Sequence, residues 1–142
     1  MASIHDVAKY IIKKTGPITA MKLQKLVYYC QAWSLVWDEK PLFKNKIEAW
    51  ANGPVSPTLY EEHRGCFRLS KWALGETKNL TQDEKDTIDS VLKYYGDKSS
   101  QWLSDLTHQE LPWKDARKGL MPGERGSEVI SHASLAEYYG SL

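Results

Sequence analysis

The N-terminal part of the chain has apolar residues at the spacing of an amphipathic helix. They follow the i, i+3, i+4, i+7, i+8 pattern, at Ile4, Val7, Ala8, Ile11 and Ile12. Ser3 is a suitable N-cap residue, and Thr15-Gly16-Pro17 provides a stop. The pattern predicts a first helix between these two signals.

A longer apolar pattern follows and predicts a second helix, capped by Thr19 and running to about Trp37. Its main apolar stripe comprises Leu23, Leu26, Val27, Cys30, Trp33 and Trp37, and Tyr28, Ala32, Leu35 and Val36 widen it. A stripe this broad indicates a central helix covered from more than one side. The remaining face presents Lys22, Lys25 and Tyr29, at i, i+3 and i+7.

The pattern then changes. Residues 47–50 alternate as a short strand would, and Asn52-Gly53-Pro54 is turn chemistry. Ser56-Pro57 begins a short helix, with Val55 and Tyr60 placed as a hydrophobic staple.

The rest of the chain predicts further short helices separated by loops. We expect loop with some turn over 64–80, a helix opened by the capping box Thr81 to Glu84, and another from about Ser99 to His108. Leu111-Pro112-Trp113 ends that region, residues 114–128 should form a loop, and Ser131 can cap a last helix. The fold class predicted is therefore mainly α. We expect one compact helical domain over residues 1–142, with a short β/turn segment around residues 44–55.

Composition and charge narrow the setting and the partners. Nineteen basic and eighteen acidic residues leave a net charge of +1, without the basic surplus typical of nucleic-acid binders. Two cysteines, Cys30 and Cys66, suit reduced thiols better than a disulfide framework. The N-terminus lacks a signal-peptide pattern, and no apolar stretch approaches the roughly 20 residues that span a bilayer. We expect a cytoplasmic protein that does not contact membranes.

Candidate chemistry is sparse. His63 and Cys66 form half of a zinc site, but a structural zinc site needs four ligands. Asp105, His108 and Glu110 lie close in sequence without a nucleophile signature, and we interpret His108 as a helix-end residue bonded to backbone. The glycines at 119, 123 and 126 lack the strand and the Lys-Ser/Thr pair of a phosphate loop. We expect no metal, no cofactor and no enzymatic activity.

The candidate partner-binding surface joins the polar face of the second helix to the 47–60 segment. Its residues are Lys22, Lys25 and Tyr29 on one side, and Trp50, Asn52, Gly53, Pro54 and Tyr60 on the other. Tyr and Trp often dominate interface energy, and the lysines could pair with acidic groups. Alternatively the lysines only solvate a helix face, and Trp50 and Tyr60 are core residues.

Several motifs occur together in one order. They are Met21-Lys22-Leu23-Gln24-Lys25-Leu26-Val27-Tyr28-Tyr29, Gln31-Ala32-Trp33, Lys40-Pro41-Leu42-Phe43, Ile47-Glu48-Ala49-Trp50, Asn52-Gly53-Pro54-Val55, Thr107-His108-Gln109-Glu110 and Pro112-Trp113-Lys114-Asp115-Ala116-Arg117. This order resembles the Panacea domain of SocA-like antitoxins, a family related to phage-associated GepA proteins, over about residues 4–139.

The resemblance implies an antitoxin of a bacterial toxin–antitoxin pair, often located on a prophage or mobile element. Such antitoxins neutralise a protein toxin mainly by forming a stoichiometric complex, and one branch delivers its toxin to a cytosolic protease. The alternative function, from the residues, is a small nucleic-acid-binding domain. In that case Thr19 to Trp37 would imitate a helix-turn-helix segment, with Lys22 and Lys25 near phosphates.

Overall fold

One long helix, from Ala20 to Trp37, lies at the centre of the protein, whose computed structural model describes residues 1–142. The helices are α1 (Ile4–Thr15), α2 (Ala20–Trp37), α3 (Pro57–His63), α4 (Gln82–Tyr95), α5 (Ser100–Gln109), α6 (Leu111–Ala116) and α7 (His132–Gly140), with a 3₁₀ turn at Thr77–Asn79. The strands are β1 (Ile18–Thr19), β2 (Glu48–Trp50), β3 (Gly53–Val55) and β4 (Arg68–Leu69). The predicted fold class, a mainly helical domain, is confirmed.

Side-chain caps fix where most of these helices begin. Ser3 and Thr81 form capping boxes with Asp6 and Glu84, and Thr19 accepts a hydrogen bond from the backbone N–H of Lys22. The other capping side chains are Ser56, Ser99 and Ser131. A cap of this kind contributes about 1 kcal/mol, so the helix starts are largely determined by local sequence.

The core forms around α2, which contacts α1, α4, α5, α7 and the strand β3. Twelve of its eighteen residues are buried, so it has almost no solvent face. The core also includes apolar residues of every other helix except α6, such as Ile11, Leu59, Ile88 and Leu103. The prediction of a central helix covered from several sides is confirmed.

Two small antiparallel sheets connect the helices. β1 pairs with β4, and β2 pairs with β3 in a hairpin in which Glu48 faces Val55 and Trp50 faces Gly53. On the other edge of β2, Glu48 forms an isolated bridge with Val129. The predicted short strand at residues 47–50 is therefore confirmed. The sequence did not indicate its second pairing, with Val129, which lies far along the chain.

Three tyrosines and one carboxylate form a polar cluster in the core. The hydroxyls of Tyr29 and Tyr139 donate to the same Glu110 oxygen, at 2.6 and 2.7 Å, and Tyr28 lies 3.0 Å from the Tyr139 hydroxyl. All four residues are buried. Burial raises the pKa of Glu110, while the two tyrosine hydrogen bonds act in the opposite direction. The cluster joins α2 to α7 and to the α5–α6 junction.

Lys25 is also buried in the core, with no exposed surface. Its Nζ has no hydrogen-bond partner, and no carboxylate lies within 4.0 Å. Its side chain lies against Gly53, which the Thr107 hydroxyl also approaches. Burial lowers the pKa of Lys25 to about 8 from 10.5. The ammonium therefore destabilises the folded protein at neutral pH, because it has lost water without gaining a partner.

Two features of the C-terminal half differ from expectation. Residues 111–116 form α6, where a helix end and a loop were predicted, because Pro112 occupies the first turn of a helix rather than terminating one. Residues 64–80, predicted as loop with some turn, also contain the two-residue strand β4 besides the 3₁₀ turn. None of the helices combines the length and apolar character that crossing a bilayer requires.

The unpaired ammonium of Lys25 leads to a stability prediction. Lys25→Met, which keeps the volume and removes the charge, should stabilise the protein at pH 7 by roughly 1–3 kcal/mol. Between pH 8 and pH 10.5 the unfolded chain holds this proton more tightly than the folded one. Wild-type stability should therefore rise relative to the variant as pH increases through that window.

The measurement is urea unfolding of both proteins across this pH range, with the exposed loop variant Lys71→Met as the control. The difference in unfolding free energy between wild type and Lys25→Met isolates the contribution of Lys25, because the buried tyrosines titrate in both proteins. A variant less stable than wild type at pH 7, with a constant difference at higher pH, would contradict the prediction.

Candidate partner-binding site

The β2–β3 hairpin is the centre of the candidate site. Gly53 has φ +131°, a conformation that side chains rarely adopt, and a Cβ there would lie 2.6 Å from Cε of Lys25. Only glycine fits at this position, because both the backbone angle and the close approach to α2 exclude a side chain. The Asn-Gly-Pro motif therefore serves to seat the hairpin on α2.

Side chains from the α5–α6 region hold the hairpin from behind. Trp113 Nε1 donates to the carbonyl of Trp50 at 2.9 Å, and Ser104 Oγ donates to that of Asn52 at 3.0 Å. The buried guanidinium of Arg117 donates to the carbonyl of Ala49 at 3.1 Å and to that of Glu124. These bonds explain physically why the 107–117 motif accompanies the 47–55 motif.

A buried amide connects the hairpin to α3. Gln24 accepts from the backbone N–H of Ser56 at 2.8 Å and donates to the Ser56 carbonyl at 3.2 Å. This pairing fixes the orientation of the amide, so its nitrogen is the atom facing His63 Nε2 at 2.9 Å. His63 Nε2 must then be an acceptor, and the ring is neutral. Burial lowers the pKa of His63, in agreement with this arrangement.

These elements enclose a groove of about 620 Å³. Its apolar residues are Met21, Trp50, Ala51, Val55 and Tyr60, and its polar residues are Gln24, Glu48, Asn52, His63, Arg125 and Ser127, with Gly126 between the last two. Trp50 and Tyr60 pack edge to face with ring centroids 5.1 Å apart. The volume is in the range of ligand pockets, and the lining suits a side chain or short segment of a partner.

Three of the predicted partner-binding residues line this groove: Trp50, Asn52 and Tyr60. Trp50 and Tyr60 are partly exposed, so neither is a fully buried core residue. Gly53 and Pro54 are buried in β3 and shape the hairpin without lining the groove.

The predicted exposed face of α2 is wrong in two of its three residues. Lys25 and Tyr29 are completely buried, the first beneath Gly53 and the second against Tyr95 and Glu110. Lys22 is partly exposed, but its Nζ donates to the carbonyl of Gly96 at 2.7 Å, in a separate cleft. The face was misjudged because α4, α5 and α7, distant in sequence, cover it. A binding role for Lys22 stays a prediction.

The burial of α2 also argues against the alternative function, in which this helix would bind nucleic acid. A recognition helix must present an exposed face to a DNA groove, whereas α2 is enclosed by other elements. Lys25, one of the two lysines placed near phosphates, cannot reach solvent.

The sequence did not indicate Met21, Gln24 or the 125–127 segment as partner-binding residues, and it indicated His63 only as half of an incomplete zinc site. Met21 and Gln24 belong to the same motif as Lys22, and membership of that motif was the only sequence signal for them. Arg125, Gly126 and Ser127 lie in a segment predicted only as loop. An added Cβ at Gly126 would lie 2.6 Å from Leu120 Cδ1 and 2.9 Å from Arg117 Nη1, so glycine permits this loop to approach the hairpin.

The structure brings no three His, Cys, Asp or Glu side chains together as metal ligands. Cys66 is exposed and Cys30 is buried, where burial raises the pKa of its thiol. The backbone bond predicted for the His108 ring is not formed through its buried Nε2, which has no partner. Instead the ring stacks on Trp113 at a centroid distance of 4.2 Å.

Comparison with known proteins defines the class. Residues 23–114, more than half of the chain, match the family described as antitoxin SocA-like, Panacea domain. The protein therefore belongs to the SocA-like Panacea-domain family.

A relative with a curated description is Antitoxin SocA of Caulobacter vibrioides (strain NA1000 / CB15N). It is 41% identical over 51 residues, which are 36% of this chain and 25% of that protein. The matched segment thus spans only a quarter of the relative's length. No solved structure matches the chain.

The neutral His63 leads to a pH prediction. Protonation would set two donors against each other at the Gln24–His63 contact, and the lowered pKa means that the folded protein resists it. The unfolded chain takes up this proton as pH falls below about 6.5, so stability should decrease there. His63→Gln, which keeps an acceptor oxygen, should weaken this acid sensitivity.

Melting temperatures between about pH 5 and about pH 8 test this prediction. His132→Gln, at an exposed histidine, is the control. Equal acid sensitivity in wild type and His63→Gln would show that His63 is not the responsible group.

Proposed function

We propose that this protein is an antitoxin that neutralises a protein toxin by direct, stoichiometric binding in the groove between the β2–β3 hairpin, α3 and residues 125–127. The observation that supports this most strongly is the groove itself, built largely by motif residues of a SocA-like Panacea domain. The family supplies the antitoxin role, and the groove is the surface best suited to a partner.

The physical character of the groove supports a protein ligand. Met21, Trp50 and Tyr60 provide partly exposed apolar and aromatic surface, the residue types that dominate interface energies. Their supports are buried and hydrogen-bonded, as described for Gln24 and Arg117. A preformed site of this kind loses little conformational entropy on binding, which favours affinity.

The proposal predicts that substitutions in the groove leave the protein folded but abolish its neutralisation of the toxin. Tyr60→Ala removes an aromatic wall of the groove, and Met21→Glu places a carboxylate in it. A Glu in the first turn of α2 is compatible with the helix dipole, so folding should persist. Each variant should lose about 2 kcal/mol or more of toxin affinity, roughly thirtyfold in Kd.

The experiment co-expresses each variant with the toxin encoded by the neighbouring gene and measures growth rescue, co-purification and melting temperature. Tyr94→Ala, at a tyrosine that is 64% exposed on α4 and outside the groove, is the matched control. Wild-type rescue and co-purification by both folded groove variants would exclude the groove as the toxin-binding site.

A further inference from the structure

We infer that the segment bound in the groove carries a carboxylate next to an apolar side chain. This inference rests on the proposed function and specifies the chemistry of the bound segment. The inference follows from the polar groups of the groove. Some of them already have partners within the protein, and others are free.

The acidic residue of the groove is already occupied. Glu48 Oε1 accepts from Trp50 Nε1 at 2.8 Å, and its Oε2 pairs with Lys46 Nζ at 3.1 Å. Glu48 is also buried. It therefore cannot attract a basic partner without giving up both bonds, and its charge is balanced within the protein.

The basic residue of the groove is free. Arg125 is exposed, lines the groove and makes no ion pair or side-chain hydrogen bond. His63, the other basic residue there, is neutral as argued above. Neighbouring acids do not compensate Arg125: Glu124 accepts from the backbone N–H of Met121, and neither Glu124 nor Glu128 lines the groove. The unbalanced charge of the groove is therefore positive.

The backbone on either side of Arg125 is held by Arg117 and Gly126. Arg117 bonds to the carbonyls of Met121 and Glu124, and Gly126 packs against Arg117 and Leu120. The hydroxyls of Tyr60 and Ser127 and the amide of Asn52 make no side-chain hydrogen bonds, and all three line the same groove as Arg125. A free guanidinium in a groove that also holds free neutral donors favours a carboxylate, and the Trp50–Tyr60 wall accommodates the apolar side chain.

The test uses two blocked tetrapeptides as probes. One carries Leu, Phe and two Asp residues, and the other has Asn in place of both Asp residues. Binding to ¹⁵N-labelled full-length protein is followed by NMR through the indole N–H of Trp50. We expect the acidic peptide to bind about fivefold more tightly at low salt, with the preference decreasing at high salt.

Arg125→Gln should abolish this preference, whereas Lys118→Gln, which removes the same charge from an exposed position outside the groove, should preserve it. Equal affinity for the two peptides, a preference that survives Arg125→Gln, or no shift of Trp50 with either peptide at millimolar concentration would overturn the inference.

Toxin binding by three variants distinguishes failure of this inference from failure of the proposed function. Arg125→Gln should weaken toxin binding by about fivefold, as for loss of an ion pair. If Tyr60→Ala and Met21→Glu release the toxin but Arg125→Gln binds it like wild type, the groove is the site and the carboxylate inference is wrong. If all three bind like wild type, the proposed site itself is wrong.

Discussion

The enclosure of α2 dictates the rest of the structure, because its polar side chains must find partners inside the protein. Gln24 bonds to the backbone of Ser56, and Gln31 bonds to the backbone of residues 42 and 43. Tyr29 donates to Glu110. A buried polar group without a partner costs roughly 1–3 kcal/mol, so each bond holds one connecting segment against the helix. Lys25 is the exception, because its Nζ has no hydrogen-bond partner where the side chain packs beneath Gly53.

This arrangement makes the groove a consequence of the core. The hairpin rests on α2 through Gly53, and its carbonyls are held by Trp113 and Arg117. The short strands β2 and β3 would be marginal as an isolated two-stranded hairpin. Anchored on α2 at Gly53 and through the carbonyls of Ala49 and Trp50, they instead present Trp50 and Asn52 in one defined geometry.

The sequence predicted what local chemistry determines and failed where distant segments meet. Thr19 marked the start of α2 correctly because a cap acts within three residues. Exposure of Lys25 and Tyr29 could not be deduced locally, since Tyr29 finds Glu110 81 residues further along the chain. α6 was missed because proline both begins and ends helices. In the groove, Trp50 and Tyr60 were found by residue type, whereas Arg125 lies in a loop without any pattern.

The groove also divides into a scaffold and a rim that come from different parts of the chain. The supporting residues Gln24 and Trp113 fall within the matched region 23–114, as does the hairpin. Met21 and Arg125 lie outside it and contribute side chains at the rim, where no internal bond constrains them. Rim residues can therefore change without disturbing the core, whereas a change at Gly53 or Gln24 would disturb both. Under the proposed function, one scaffold would in this way accept chemically different toxin segments when its rim residues change.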